Sequence, residues 1–143
     1  MDIRVSERAA KVRYAVRNIA RKAKEIEKTG KKMLYLNIGD PGKYDFPVPK
    51  HLVDAYVEAL RSGKNYYGFS SGIDEAREAI AKQAARKGMK NVSADNVVVT
   101  TGASEGIDFV MNSMLNPGEN LLMPAPNYPV YDAVSNKIGA NRN

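Results

Sequence analysis

Cysteine is absent from this sequence. Its absence excludes disulfides, thiolate chemistry and cysteine-based zinc sites, and it suits a reducing, cytoplasmic setting. Histidine is nearly absent: His51 stands alone. With no second histidine or cysteine to join it, His51 reads as a surface or capping residue after Pro49 rather than as a metal ligand or base, and no metal is expected. No stretch approaches the run of about 20 apolar residues that spans a bilayer. The basic opening residues also contain no apolar segment of signal-peptide length, so a soluble protein with no membrane partner is expected. The chain has neither a G-x-G-x-x-G nor a P-loop pattern, which weighs against dinucleotide and ATP binding.

What remains is the material of a globular domain: 143 residues, 43% of them hydrophobic. The net charge is +6, and basic residues crowd the first part, among them Arg4, Arg8, Lys11, Arg13, Arg17, Arg21, Lys22, Lys24, Lys28, Lys31 and Lys32. Such density suits nucleic acid or an anionic surface. No nucleic-acid motif accompanies it, and Glu7, Glu25 and Glu27 are interspersed, so a solvated helix face is expected and no nucleic-acid partner.

Ser6 sits at a helix N-cap position, and Val12, Val16, Ile19, Ala23 and Ile26 recur at helical spacing until Gly30, which predicts one long amphipathic helix. Met33 to Ile38 predicts a short strand, followed by a long loop from Gly39 to Pro49. Leu52, Tyr56 and Leu60 predict a helix that starts near Pro49 and Lys50 and closes at Ser62-Gly63. Ser71 and Asp74 have the spacing of a capping box ahead of a helix carrying Ala76, Ile80 and Ala84 and ending at Gly88. Val97 to Thr100 predicts a buried strand, and Ile107, Val110, Met111, Met114 and Leu115 form one face of the helix that follows. Another short strand is expected over Asn120 to Met123 and a helix over Val130 to Ile138, with a further strand due after the closing GANRN. Strands alternating with helices predict an α/β fold with a mostly parallel sheet flanked by helices.

The segment VVVTTGASEGI carries the clearest chemistry. A small-residue turn delivers the chain into a helix N-terminus, where unpaired backbone N–H groups and the macrodipole favour an anion, with phosphate the best match. Ser104 adds a hydroxyl donor, and Gly102 leaves room for close approach of a ligand to the backbone. Many glycine-rich βα turns exist only for packing, so the local residues leave both readings open. Gly106, in the first helical turn, has packing as its plain explanation.

Four segments in order, LNIGDPGKYDFPVP, NYYGFSSGIDEAREAI, VVVTTGASEGIDFVMNSMLNPGE and PAPNYPVY, resemble the fold-type I, class I/II aminotransferases. The opening SERAAKVRYAVRNIARKAKEIEKTGKKMLYLNIGDP is most similar to alanine-aminotransferase-like members from archaea. The resemblance covers nearly the whole chain but only the first part of the family's length. It implies an incomplete pyridoxal-phosphate (PLP) transferase fold, with residues 1–48 as an N-terminal arm, first strand and substrate-side loop, and residues 49–143 as the first part of the PLP-binding large domain.

By resemblance, the backbone amides of Ala103 and Ser104, the Ser104 hydroxyl and the Gly102 turn bind the PLP phosphate. Tyr128 matches the aromatic residue that stacks on the pyridine ring, where its bland alternative is a core aromatic. Tyr67 matches a tyrosine that reaches the cofactor phosphate of the other subunit of a homodimer, with Tyr66 one residue away as the rival. Gly39 matches the glycine near the substrate carboxylate, and a turn role is the alternative. Ala76 departs from the family's usual leucine, which bears on packing.

The implied activity is transfer of an amino group between an amino acid, with alanine expected, and a 2-oxo acid. The family's Schiff-base lysine, its acid at the pyridinium nitrogen and its carboxylate-binding arginine fall beyond residue 143. No catalytic residue is therefore assigned, and the chain by itself is expected to be inactive. PLP lyases and decarboxylases share the phosphate turn. A non-catalytic remnant that binds a phosphorylated ligand or a full-length relative is the alternative from another class.

Overall fold

A computed structural model describes residues 4–12, 15–37 and 39–143. Arg13 of the basic run and Ile38 of the expected first strand lie outside the described residues, as does the side chain of Arg17. The chain packs as two compact units, Met1–Ile38 with Thr101–Asn143, and Gly39–Thr100.

In the first unit the expected long helix is two helices, α1 over Glu7–Lys11 and α2 over Ala15–Glu27. Ser6 caps α1 as its position predicts, accepting from the Ala9 N–H at 3.2 Å. Val12 leaves the helix with extended backbone (φ −67°, ψ 115°). It lines a cleft with Leu115 and Ile138, and α1 packs on the helix over Pro129–Ile138, a tertiary contact that the helical period of the sequence does not contain. Ala23 alone among the described residues of α2 is buried, and the described basic side chains of α1 and α2 are exposed.

Helix α5 spans Ala103–Met114 and α6 spans Pro129–Ile138. Proline suits the first position of α6 because its missing N–H has no intrahelical partner there, and Gly139 ends that helix in the left-handed conformation (φ 78°). The two helices pack through Met111, Val134 and Ile138, joined by Ala140, with Ile107, Leu115, Leu121 and Val130 against them. Lys137 and Asp108 bridge the pair at 2.6 Å. Fully buried Ser135 is satisfied by donating its hydroxyl to the Tyr131 carbonyl at 2.8 Å.

The described residues contain one sheet, of two parallel strands, β1 (Asn120–Leu121) and β2 (Asn141–Arg142), in register Asn120 with Asn141 and Leu121 with Arg142. Helix α6 is the crossover between them, which gives the βαβ connection of an α/β fold. Strand β1 is shorter than the expected Asn120 to Met123, although the Met123 N–H still reaches the Asn143 carbonyl at 3.3 Å. The strand due after GANRN already lies within it. Arg142 also pairs with Asp132 at 2.8 Å.

The expected strand from Met33 is not formed among residues 33–37. No described strand lies alongside to accept its bonds, and Leu34 and Leu36 are exposed.

The second unit holds α3 (Lys50–Arg61), closed at Ser62 as expected, and α4 (Asp74–Arg86). Ser71 does not cap α4: the helix begins at Asp74, so its N-cap is Ile73, with no side-chain bond, and Ser71 lies two residues ahead of that position. The capping box lies instead at Ser93 and Asn96, around the 3-10 turn Ala94–Asn96 that packs on α4.

Val97 to Thr100 is extended but is not a buried ladder strand. Val97 is buried while Val98 and Val99 are exposed, and the Val99 N–H donates to the Ser71 carbonyl at 2.9 Å. A strand needs a neighbour along its length, and no described strand pairs with this segment.

Candidate functional site

Gly102 is the N-cap of α5, with φ 77° and ψ 171°. That combination is essentially closed to residues with a Cβ, so the backbone itself demands glycine. A Cβ built there meets no described atom within 4 Å, so the space beside the turn is open to a ligand. Ala103 and Ser104 follow as the first two residues of the helix, both exposed. Helix geometry gives their N–H groups no carbonyl partner within the helix, and the macrodipole adds partial positive charge. With the Ser104 hydroxyl beside them, the donors suit a phosphate dianion.

Glu105 holds the turn from behind. Its carboxylate accepts from the Thr101 N–H at 2.5 Å, three positions into the helix and reaching back past the cap as a capping-box acid does. The sequence signal was present, because a carboxylate three residues after the N-cap is the capping-box spacing.

A groove of about 340 Å³ runs along α5 beside the turn, lined by Ala103, Gly106, Ile107, Val110, Met111 and Tyr131. Gly106 is half-buried there. Tyr128 is the N-cap of α6 and 47% exposed. It meets Tyr131 edge to face, with ring centroids 6.5 Å apart and planes at 88°. Tyr131 thus connects Tyr128 to the groove that begins at Ala103. Sequence reasoning singled out Tyr128 and passed over Tyr131, although the spacing of three on one helix face carries the signal. The loop before α6 contains a cis Ala125–Pro126 peptide.

Gly39 and Tyr67 belong to the second unit. Gly39 is exposed, with no described atom within 4 Å of a built Cβ. Tyr67 and Tyr66 are both exposed, at 103% and 80%, and line a cleft of about 350 Å³ with Gly68, Phe69, Ile73 and Asp74. His51 is exposed on α3. Among the described residues no cluster of three His, Asp or Glu is placed to hold a metal, and no helix is long and apolar enough to cross a membrane.

The family model described as "Aminotransferase class I and II" matches residues 31–141. A (5-formylfuran-3-yl)methyl phosphate transaminase of Methanocaldococcus jannaschii is 35% identical over 127 residues, covering 89% of this chain and 34% of that protein. The glutamate-pyruvate aminotransferase AlaA of Escherichia coli is 33% identical over 132 residues, covering 92% of this chain and 32% of its own length. Among solved structures, an alanine aminotransferase from Pyrococcus furiosus superimposes with a TM-score of 0.90 at 40% identity, over 97% of this chain and 35% of that one. The chain therefore spans about a third of the length of these relatives.

Proposed function

The chain belongs to the class I and II aminotransferase family, whose members use pyridoxal 5'-phosphate, and from that premise we propose that the whole protein moves an amino group between alanine and a 2-oxo acid. The observation that carries this reading is the Gly102–Ser104 turn at the N-terminus of α5, whose donors and open glycine fit the cofactor's phosphate.

In this reading the N–H groups of Ala103 and Ser104 and the Ser104 hydroxyl bind the phosphate oxygens. The acceptor is a dianion and the neutral donors sit at the partially positive end of the helix, so these are charge-assisted bonds. Tyr128 offers the aromatic face that stacks on the pyridine ring and fixes its plane. Tyr67, fully exposed at its loop, gives its hydroxyl to the phosphate held by the partner subunit of a homodimer. Gly39 leaves room for the substrate carboxylate beside its backbone. The division into an N-terminal arm over 1–48 and the start of the cofactor-binding domain over 49–143 belongs to the same reading. When bound, pyridoxal phosphate supplies the electron sink that stabilises negative charge at the amino acid's Cα.

Alanine is chosen because relatives named for alanine or for glutamate and pyruvate match most of the chain. The test is to supply the whole protein with PLP, a panel of amino acids and 2-oxoglutarate, and to measure the 2-oxo acid formed. Pyruvate from alanine, faster than the product of any other amino acid, is expected. A different preferred donor would overturn the assignment of alanine. PLP binding without transfer from any amino acid would overturn the enzyme reading in favour of a non-catalytic phosphate binder.

A further inference from the structure

We propose that Arg77 is the positioning residue for Tyr67, holding the loop that presents it. The role rests on the proposed contact between Tyr67 and the cofactor phosphate. Arg77 sits in the first turn of α4, yet its side chain is only 14% exposed. Its guanidinium is divided among three acceptors: Nε donates to the Val97 carbonyl at 3.2 Å, Nη1 to the Asp74 carboxylate at 3.1 Å, and Nη2 lies 3.5 Å from Asp95. A planar fork reaches three directions at once, which the single ammonium of a lysine does not.

Arg77 therefore ties the extended segment after the 3-10 turn to the start of α4. That segment in turn holds the loop. The Val99 N–H donates to the Ser71 carbonyl at 2.9 Å, and the Gly72 N–H closes a turn onto the Phe69 carbonyl at 2.9 Å. Gly72, at φ +105°, lies so close on Val99 that an added Cβ would stand 2.5 Å from its Cγ2, and that same Cβ would be 3.8 Å from the Arg77 Cγ. Asp74, one of two exposed carboxylate partners of Arg77, also lines the cleft that contains Tyr67. Tyr67 itself is fully exposed, so among the described residues no packing of its own side chain fixes it. Its position is inherited from the loop backbone, and the loop is anchored where Arg77 braces the Val97–Val99 segment.

The test is a double-mutant cycle on the whole protein, measuring PLP dissociation constants and thermal unfolding for the wild type, Tyr67→Phe, Arg77→Lys and the double variant. Tyr67→Phe is expected to weaken PLP binding about tenfold or more, the scale of a bond to a charged group. Arg77→Lys should weaken PLP binding several-fold when Tyr67 is present and not further in the Tyr67→Phe background, whereas its effect on melting temperature should be the same in both backgrounds. Equal weakening in both backgrounds, or lowered stability with unchanged PLP affinity, would overturn the role of Arg77. Unchanged affinity in Tyr67→Phe would overturn the Tyr67 contact itself, which is a separate result. Should Arg77→Lys not fold, Asp74→Glu carries the same cycle, because it keeps the charge but misplaces an exposed partner of the guanidinium. Additivity there would equally overturn the proposal.

Discussion

Substituting Gly102 by alanine tests whether the backbone of the phosphate turn is held in the form described. At φ 77° and ψ 171° the residue occupies a region that side chains with a Cβ avoid, and the strain of forcing one there is about 1–3 kcal/mol. A clash adds nothing to this figure, since the new Cβ meets no described atom within 4 Å. The strain has two outlets. If the turn keeps its shape, the protein loses that much stability. If the turn relaxes, the N–H groups of Ala103 and Ser104 swing away from their common target, and PLP affinity falls by roughly 5- to 150-fold, the same energy expressed as binding. A fluorescence titration with PLP and a thermal melt on the same preparation follow both outlets. The expected result is a loss in one or both that totals the stated range. Wild-type affinity together with wild-type melting temperature in Gly102→Ala would refute the argument, because neither outlet would then have been used.

Three further substitutions separate other contributions. Gly72→Ala should lower the melting temperature more than Gly102→Ala, because strain at φ +105° is joined by overlap with Val99 at 2.5 and 2.8 Å, and overpacking adds about 1–3 kcal/mol; an equal or smaller loss would contradict the packing described. Glu105→Ala removes the acceptor of the Thr101 N–H and should destabilise the protein by about 1 kcal/mol, the scale of a lost cap, as read by urea unfolding. No change would mean that the carboxylate does not hold the turn. Glu119 is held below the usual carboxylate range, chiefly by its bond from the Asn116 backbone N–H. A depressed folded-state pKa gives stability that is present above the unfolded pKa and lost as pH falls through the folded one. Wild type should therefore lose stability relative to Glu119→Gln as the solution is acidified below the ordinary glutamate range, and parallel stability curves for the two proteins would contradict this.

Helices were legible in the sequence because one residue's face repeats at a fixed period: Leu52, Tyr56 and Leu60 mark α3, and Ile107 to Leu115 mark α5. Strands were legible only as extended chain, since pairing depends on neighbours that local pattern does not contain. Val97–Thr100 has the β-branched composition of a strand and, among the described residues, joins no sheet, with Val99 bonded to a loop, whereas Asn141–Arg142 has no such composition and pairs in parallel with β1. The capping-box spacing at Ser71 and Asp74 goes unused, and the box lies at Ser93, where Asn96 replaces the expected acid. At the candidate site the turn could be read as a helix N-terminus, because Gly102 precedes the apolar period of α5, while its residues alone leave phosphate binding and packing both open. The brace could not be read. Arg77 looks like an ordinary surface residue of an amphipathic helix until Val97, twenty positions away, is brought to its Nε.

Whether the N-terminus of α5 receives the cofactor's phosphate is tested most directly by comparing the binding of PLP with that of pyridoxal, which lacks the phosphate, in wild type and in a variant carrying Ala103→Pro and Ser104→Ala. Proline is tolerated at the first helical position, so the pair removes one N–H and one hydroxyl while sparing the helix. PLP should bind far more tightly than pyridoxal in the wild type, and the gap should narrow by about tenfold or more in the variant, the scale of lost bonds to a charged group. An unchanged gap between PLP and pyridoxal in the two proteins would contradict phosphate binding at this helix end.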